Sequence, residues 1–166
     1  MVIFNVNSHR FDPYKNFKFR VKWDGQYIPG VSRISPLTRI TDTVIHREGG
    51  DQSKFSILPG MTRFEPIVLE RGLSYDTAFE EWANMVFNMP GDPNSSLKNY
   101  KKDIVIELLN LQGMVVMAFL VYRCWVSEYQ SLPELDSNDQ CIATEKIVLQ
   151  HEGWERDRSI VEPLET

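Results

Sequence analysis

The chain offers few residues whose types and spacing could support catalysis or metal binding. Its three histidines, His9, His46 and His151, lie far apart, and none has the i,i+4 or Cys-x-x-Cys spacing of a zinc site. There is neither a Gly-x-Ser-x-Gly elbow nor a phosphate-binding glycine loop. The neighbouring acids Glu80 and Glu81 are expected on the solvent side of a helix, where no burial would activate them for acid–base catalysis. The sequence therefore predicts a protein that is not an enzyme and has no metal site and no cofactor.

Cysteine usage and hydropathy indicate the cellular compartment in which the chain is made. Cys124 and Cys141 both lie in apolar, strand-like runs, which predicts two buried, unpaired thiols rather than a disulfide. The N-terminus lacks the basic start and the long apolar core of a signal peptide. The longest apolar run, Met114 to Tyr122, has nine residues, whereas a membrane-spanning helix needs about 20. We therefore expect cytoplasmic synthesis and no membrane anchoring.

Charge is distributed unevenly along the chain. Residues 1–23 carry five cations and one acid, whereas residues 128–166 carry ten acids and three cations. Solvated surface explains most asymmetries of this kind, but this one would also suit a subunit that docks head to tail on copies of itself. The net charge of -5 gives no support for a general nucleic-acid binder.

The first predicted strand alternates between apolar and basic residues. Its apolar positions are Phe17, Phe19, Val21 and Trp23, and its basic positions are Lys18, Arg20 and Lys22. Because successive strand residues point to opposite faces, the aromatic rings are predicted in the core and not beside the cations on a nucleic-acid stacking platform. Asp24-Gly25 follows directly and predicts a tight hairpin turn.

One segment, residues 74–89, has the pattern of a helix. Ser74 is a suitable N-cap, and Asp76 would lie in the first turn, where the helix dipole favours an acid. Apolar residues at helical spacing form one face: Tyr75, Phe79, Trp82, Ala83 and Val86. Pro90-Gly91 would end the helix. We predict that this face packs against a sheet.

The remaining segments have the composition of β-strands. The predicted strands are residues 27–34, 38–47, 64–70, 103–111, 114–125 and 141–151. The strand 114–125 is apolar at both parities, so one face should meet the core and the other either the helix or a neighbouring chain. This order predicts a mainly β fold, either a small β-barrel or two packed antiparallel sheets with one flanking helix. We expect one domain over residues 1–166, with an N-terminal arm (1–16) and a C-terminal tail (152–166).

Residues 46–62 interrupt the strand pattern and are predicted to form a long projecting loop. The loop contains His46, Arg47, Glu48, Gly49, Gly50, Pro59 and Gly60. From local sequence alone, a glycine turn between two strands explains the stretch equally well. Its length exceeds what a hairpin needs, however, and paired glycines let the backbone leave a sheet at angles closed to other residues. We therefore predict an arm that contacts a neighbouring subunit.

Several short motifs stand in order along the chain. They are Asp12-Pro13-Tyr14-x-Asn16-Phe17-x-Phe19, Asp24-Gly25, Gly30-Val31-Ser32, Arg47-Glu48-Gly49-Gly50, Leu58-Pro59-Gly60, Leu69-Glu70-Arg71-Gly72, Phe79-x-x-Trp82 and Glu152-Gly153-Trp154-Glu155. In this order and spacing, the chain resembles the tail-tube proteins of contractile phages and of phage-tail-like contractile injection systems. That family is similar in fold to the tube protein of type VI secretion.

The resemblance implies a structural protein whose subunits form rings of six, which stack into a hollow tube. A contractile sheath would surround the tube, a baseplate hub and spike would lie at one end and a terminating cap at the other. The lumen would carry an effector protein or phage DNA, and the loop 46–62 would pack against neighbouring subunits. Two alternatives stay open: a paralogue that forms the initiating layer on the baseplate hub, and a monomeric ligand-binding β-barrel.

Overall fold

The computed structural model describes residues 13–50, 53–87 and 99–165 of the chain. These residues form β1 (Phe19–Trp23), β2 (Gln26–Ile28), β3 (Val31–Ile34), β4 (Arg39–His46), β5 (Ser56–Phe64), β6 (Ile67–Gly72), α1 (Ala78–Phe87), β7 (Lys102–Leu109), β8 (Val115–Gln130), β9 (Thr144–Gln150) and β10 (Trp154–Arg156). Strands hold 49% of the described residues and the helix 7%, which confirms the predicted mainly β class with one helix.

Eight strands form one continuous antiparallel sheet in the order β2-β1-β7-β8-β9-β6-β3, with β10 paired to β8 beside this path. The long strand β8 pairs with β7 in its first half and with β9 in its second, so the sheet bends into two halves. Arg123 lies at the bend with φ 53°, and its amide donates to Asp103 Oδ1 at 2.8 Å. The edge strands β2 and β3 do not pair with each other. Of the two predicted architectures, the two halves of this open sheet therefore correspond to the pair of antiparallel sheets and not to a closed barrel.

β1 shows the predicted alternation, with one exception. Val21 and Trp23 are buried, whereas Arg20 lies on the opposite face. Phe17 is exposed, because it lies in a bend of the chain before β1 begins at Phe19, which is itself half-buried. The prediction that Phe17 is a core residue is therefore wrong.

The first predicted hairpin has its expected turn, but its return strand is divided into two strands. Asp24 and Gly25 form the predicted tight turn with φ 52° and 74°, a conformation that glycine and aspartate tolerate. The predicted return strand 27–34 divides at Pro29-Gly30, where Gly30 has φ 79°. Its first part, β2, pairs with β1, and its second part, β3, pairs with β6 at the other end of the sheet.

The helix packs its predicted face on the sheet but begins at Ala78, later than expected. Its buried residues are Phe79, Trp82 and Ala83. Tyr75 is fully exposed and precedes the helix, so its assignment to the apolar face and the N-cap role of Ser74 are both wrong. The carboxylate of Asp76 instead accepts a hydrogen bond from the Ala78 amide at 2.9 Å. The predicted helix end, residues 88–91, lies outside the described residues.

The second apolar face of β8 is covered within the chain. Val116 and Ala118 lie on the face opposite the main core, yet both are buried. The C-terminal segment runs beside them: the Asp157 amide donates to the Ala118 carbonyl at 2.9 Å, and Asn110 Nδ2 donates to Glu165 at 3.1 Å. The prediction that this face meets the helix or a neighbouring chain is therefore wrong for these two residues.

Neither cysteine forms a disulfide, as predicted, but their environments differ. Cys124 is fully buried, and this burial, with a smaller contribution from Asp103, raises the pKa of its thiol to about 12. Cys141 is exposed, so the prediction of burial is wrong: β9 starts at Thr144 and leaves Cys141 in the preceding loop. The hydrogen bond from its Sγ to Asp139, at 3.1 Å, raises the pKa of Cys141.

A thiol reagent at about pH 8 is expected to label one cysteine in the native protein and two in the unfolded protein, because only an accessible thiolate reacts. The Cys141→Ser variant should lose the native-state labelling and keep the cysteine that denaturant exposes. Labelling is counted by mass spectrometry. Rapid modification of Cys124 in the folded protein would contradict its burial.

Candidate subunit interface

The described part of the predicted loop, residues 46–50 and 53–62, belongs to a two-stranded β-ribbon formed by β4, β5 and the described residues between them. The two strands pair antiparallel, with Val44 opposite Leu58 and Ile45 opposite Ile57. The second half of the predicted loop lies within β5, so the prediction of a long loop is wrong. Aliphatic and β-branched residues that face each other across both strands favour the ladder over an irregular loop.

Pro59 and Gly60 lie inside β5 and shape the ribbon. The pairing register shifts between Thr41 and Thr43, next to these two residues. Such a bulge is one of the places where a strand tolerates proline. A Cβ on Gly60 would lie 3.1 Å from the carbonyl oxygen of Asp42, so glycine lets the two strands approach closely here. The residues that suggested a broken strand are therefore the ones that allow this strand to bend.

Both faces of the ribbon are apolar and exposed. The exposed apolar residues are Val44, Ile45, Phe55, Ile57, Leu58 and Met61, with exposed fractions from 47% to 82%. An isolated two-stranded ribbon is only marginally stable in water, and exposed apolar surface of this kind marks an interaction site. None of these side chains was predicted to be an interface residue, although the adjacent Ile57-Leu58 in a polar stretch was a signal for them.

The base of the ribbon is fixed to the rest of the chain by aromatic packing. Phe64, at the end of β5, lies with its ring centroid 5.8 Å from that of His151 and 6.5 Å from that of Trp154. Gly153 has φ 139°, and a Cβ there would lie 3.3 Å from the Phe64 ring. His151 Nε2 is 2.8 Å from the Glu65 carbonyl oxygen. Trp154 begins β10, so the predicted C-terminal tail starts with a strand that supports the ribbon.

Polar pairs link the two ribbon strands near the base. Arg63 Nη1 lies 2.6 Å from Asp42 Oδ1, and the hydroxyls of Thr41 and Thr62 are 2.9 Å apart. At the tip, the predicted arm residues His46, Arg47, Glu48, Gly49 and Gly50 are all exposed. Their predicted contacts are with another subunit and stay predictions.

The predicted N-terminal motif meets the C-terminal segment. Asp12 lies outside the described residues, and Pro13 and Asn16 are exposed. The Tyr14 hydroxyl donates to Glu162 Oε1 at 2.7 Å. This bond joins the start of the described chain to its end.

Other motif residues belong to the core and to the first hairpin. The Asp24 carboxylate pairs with Lys102, whose Nζ lies 5.5 Å from the centroid of the Trp82 ring. Asp24 and Gly25 thus form a turn, and Trp82 is a core residue. Among the described motif residues outside the ribbon, Gly153 and Trp154 lie at its base.

Among the described residues, no three histidine, cysteine, aspartate or glutamate side chains come together in a way that could hold a metal ion. In the same part of the chain, no helix has the length and apolar character needed to cross a bilayer. The feature that stands out among the described residues is the ribbon, whose exposed apolar side chains are of the kind that marks an interaction site.

Solved structures of injection-particle chains share this fold. A chain in the cryo-EM structure of the anti-feeding prophage baseplate is 19% identical, with a TM-score of 0.71 over 87% of this chain and 95% of that one. A chain in the sheath–tube complex of the extracellular contractile injection system PVC is 24% identical, with a TM-score of 0.71 over 87% and 91%. One in the PVC sheath/tube terminator is also 24% identical, with a TM-score of 0.73 over 88% and 97%.

Chains of contractile injection particles thus have the same β-rich fold as this chain. A type six secretion system protein has it as well, with a TM-score of 0.53 at 12% identity over 89% of this chain and 90% of that one. Residues 15–155 match the family described as T4-like virus tail tube protein gp19. The chain belongs to this tail-tube family, as the motifs predicted. No curated protein matches the chain.

Proposed function

We propose that the chain assembles into hexameric rings, which stack into the hollow inner tube of a contractile phage tail or a phage-tail-like injection system. The observation that carries the proposal is the ribbon, which exposes apolar residues on both faces in the single chain. A tube subunit is surrounded mainly by copies of itself, so a second copy is the natural partner. Burial there would stabilise the assembly by about 25 cal/mol per Å² of apolar surface.

The tube would be the conduit that sheath contraction drives through a target envelope. Its partners would be sheath subunits, a baseplate hub with its spike, and a terminating cap, with an effector protein or phage DNA in the lumen. Similar chains occur in structures of a baseplate, a sheath–tube complex and a tube-terminating cap, which supports this set of partners. The chain would act as part of the assembled particle and would not be anchored in a membrane.

A subunit of the initiating layer on the hub is the second candidate. The similarity to a chain of the anti-feeding prophage baseplate favours it. Copy number decides between the two: a main tube subunit is present in many rings per particle, and an initiator in few. Quantitative mass spectrometry of purified particles measures this ratio. The open sheet gives no support to the monomeric ligand-binding barrel.

Replacing Ile45 and Ile57 together by serine is expected to abolish ring formation and leave the subunit folded. Both side chains are exposed, at 68% and 61%, so their loss should change the free energy of unfolding by only about 0.5 kcal/mol each. Negative-stain microscopy reports the rings, and circular dichroism reports the fold.

The matched control replaces the same two residues by valine, which keeps the apolar β-branched surface and should keep the rings. Normal rings from the serine variant would overturn the interface role of the ribbon. An unfolded serine variant would show instead that the ribbon stabilises its own subunit.

A further inference from the structure

The direction in which the ribbon leaves the subunit is set at its base. β4 and β5 form their own two-stranded sheet, and Glu65 and Pro66 connect β5 to β6 in the eight-stranded sheet. The Glu65 amide donates to the carbonyl of Thr38, the residue before β4, at 3.0 Å. The backbone of Glu65 therefore closes the ribbon at its base, and the contacts that hold this residue help to fix the ribbon's direction.

His151 contacts this base, and both of its ring nitrogens form hydrogen bonds. Nε2 is 2.8 Å from the Glu65 carbonyl oxygen, and Nδ1 is 3.2 Å from the Gly153 amide nitrogen. A carbonyl oxygen accepts and an amide N–H donates, so Nε2 carries a proton and Nδ1 offers its lone pair. The two partners thus assign a neutral ring with its proton on Nε2.

The Gly153 amide is held in place from its other side. The Gly153 carbonyl accepts from the Tyr122 amide at 2.9 Å, and the Glu152 amide donates to the Tyr122 carbonyl at 3.0 Å. Gly153 has φ 139°, a conformation that glycine adopts far more readily than other residues. The turn is therefore fixed to β8, and hydrogen bonds lead from β8 through His151 to the ribbon.

Protonation of His151 would break this series of hydrogen bonds. An imidazolium donates from both nitrogens, so no rotation of the ring restores an acceptor for the Gly153 amide. The new proton on Nδ1 would face the Gly153 N–H, and a part-buried donor that loses its acceptor destabilises the arrangement. Histidine is the side chain whose charge ordinarily changes between about pH 5 and 8, so mild acid is the condition that would supply the proton.

The acids next to His151 already pair with cations. Glu65 lies 3.5 Å from Arg63, and Glu152 lies 2.9 Å from Lys101 and 3.2 Å from Arg123. An imidazolium would therefore share these two acids with cations that are already in place. The titratable and charged groups on the elements around the ring are Arg39, Arg63, Glu65, Tyr122, Glu152, Glu155 and Arg156, with Lys101 and Arg123 paired to Glu152.

We propose that His151 is a pH-sensitive latch for the ribbon: the neutral ring holds the ribbon base in its present direction, and protonation at Nδ1 releases it. The released form binds one proton more than the latched form, so lower pH favours release. For assembly the inference rests on the proposed tube function, because the ribbon is the surface through which subunits would join. A subunit would then assemble more weakly in a mildly acidic medium.

Hydrogen exchange followed by mass spectrometry tests the latch in the folded protein. The Ile45→Ser, Ile57→Ser variant is used, so that exchange reports the ribbon and not the dissociation of rings. Between about pH 7.5 and 5.5, protection of residues 39–64 and 151–156 should fall by roughly tenfold, since one proton changes such an equilibrium by at most about tenfold per pH unit. Labelling times are scaled to the intrinsic exchange rate at each pH. Unchanged protection of the ribbon, or an equal loss in the central strand β7, would overturn the proposal.

Replacing His151 by a neutral residue should remove the response to pH. His151→Gln and His151→Asn each supply a donor and an acceptor that do not titrate. Protection of the ribbon should then be the same at both pH values. Circular dichroism reports whether each variant folds, and the use of two keeps the test decisive if one does not. A full response in a folded His151 variant would contradict the latch.

The matched control removes the other two histidines. The His9→Gln, His46→Gln variant leaves His151 as the only histidine of the chain, and it should keep the full response. Nitrogen-15 NMR of this variant reads the ring directly. It should show the neutral form with the proton on Nε2 at about pH 7.5, and protonation of Nδ1 in step with the loss of ribbon protection. A ring that stays neutral while protection falls would overturn the proposal.

Assembly shows the consequence, and the two proposals fail differently. The protein concentration needed for half-maximal ring formation should rise by roughly tenfold over the same pH range, and His151→Gln should remove this rise. If rings form but the ribbon does not respond to pH, the latch is wrong and the tube function stands. If the ribbon responds but the parent forms no rings at any concentration, the tube function is wrong and the latch stands.

Discussion

Trp82→Ala is expected to lower the free energy of unfolding by about 3–5 kcal/mol, as truncation of large buried aromatic residues does. Trp82 is fully buried, and its ring centroid lies 4.9 Å from that of Trp23. Its indole N–H donates to the Tyr100 carbonyl at 2.9 Å. Truncation therefore leaves a cavity between the helix and the sheet and removes the hydrogen-bond donor of a part-buried carbonyl.

The loss is measured by urea unfolding followed by circular dichroism, since the other tryptophans complicate fluorescence. Phe87 on the same helix is the matched control, because it is 81% exposed. Phe87→Ala should shift the free energy of unfolding by about 0.5 kcal/mol or less. Equal midpoints for Trp82→Ala and the parent would show that the helix is not anchored through this ring.

The helix shows how far periodicity predicts structure. The spacing of Phe79, Trp82 and Ala83 identified the buried face, because one stripe of a helix must meet the core. The same spacing extended the face to Tyr75, which is exposed. The helix begins where a side chain bonds the first free amides, and here that side chain is Asp76. Local apolar spacing does not contain that information.

The ribbon shows a second limit. The sequence predicted that residues 46–62 project and named the glycines and proline that shape them. It did not predict that half of them form a strand, because Pro59-Gly60 usually interrupt strands. The covered face of β8 has a different cause, which is contact with residues far along the chain. Val116 and Ala118 are buried beside Asp157, a residue whose proximity no local pattern indicates.

The buried ion pair between Arg71 and Glu145 joins β6, β9 and the start of the helix. Arg71 Nε lies 2.5 Å from Glu145 Oε1, and both side chains are almost fully buried. Arg71 Nη2 donates to the Asp76 carbonyl at 2.5 Å, and the guanidinium lies 4.3 Å from the centroid of the Phe79 ring. One cation thus holds two strands and the capping residue of the helix together.

Glu145→Leu is expected to lower the free energy of unfolding by about 3–5 kcal/mol, because it leaves the buried guanidinium without its nearest anion. The double variant Arg71→Met with Glu145→Leu should recover most of that loss, since apolar residues of similar volume often replace a buried pair at little cost. Urea unfolding of the parent, both single variants and the double variant completes a thermodynamic cycle.

The cycle separates two roles of Arg71. If charge compensation dominates, the double variant is more stable than Glu145→Leu alone. If the hydrogen bond from Arg71 to the Asp76 carbonyl contributes more to stability than charge compensation does, the double variant stays as unstable as Glu145→Leu. The reason is that Arg71→Met removes this hydrogen bond at the start of the helix. Full recovery would show that the pair fixes the arrangement of the two strands without adding net stability, leaving the cohesion between helix and sheet to Trp82 and its aromatic neighbours.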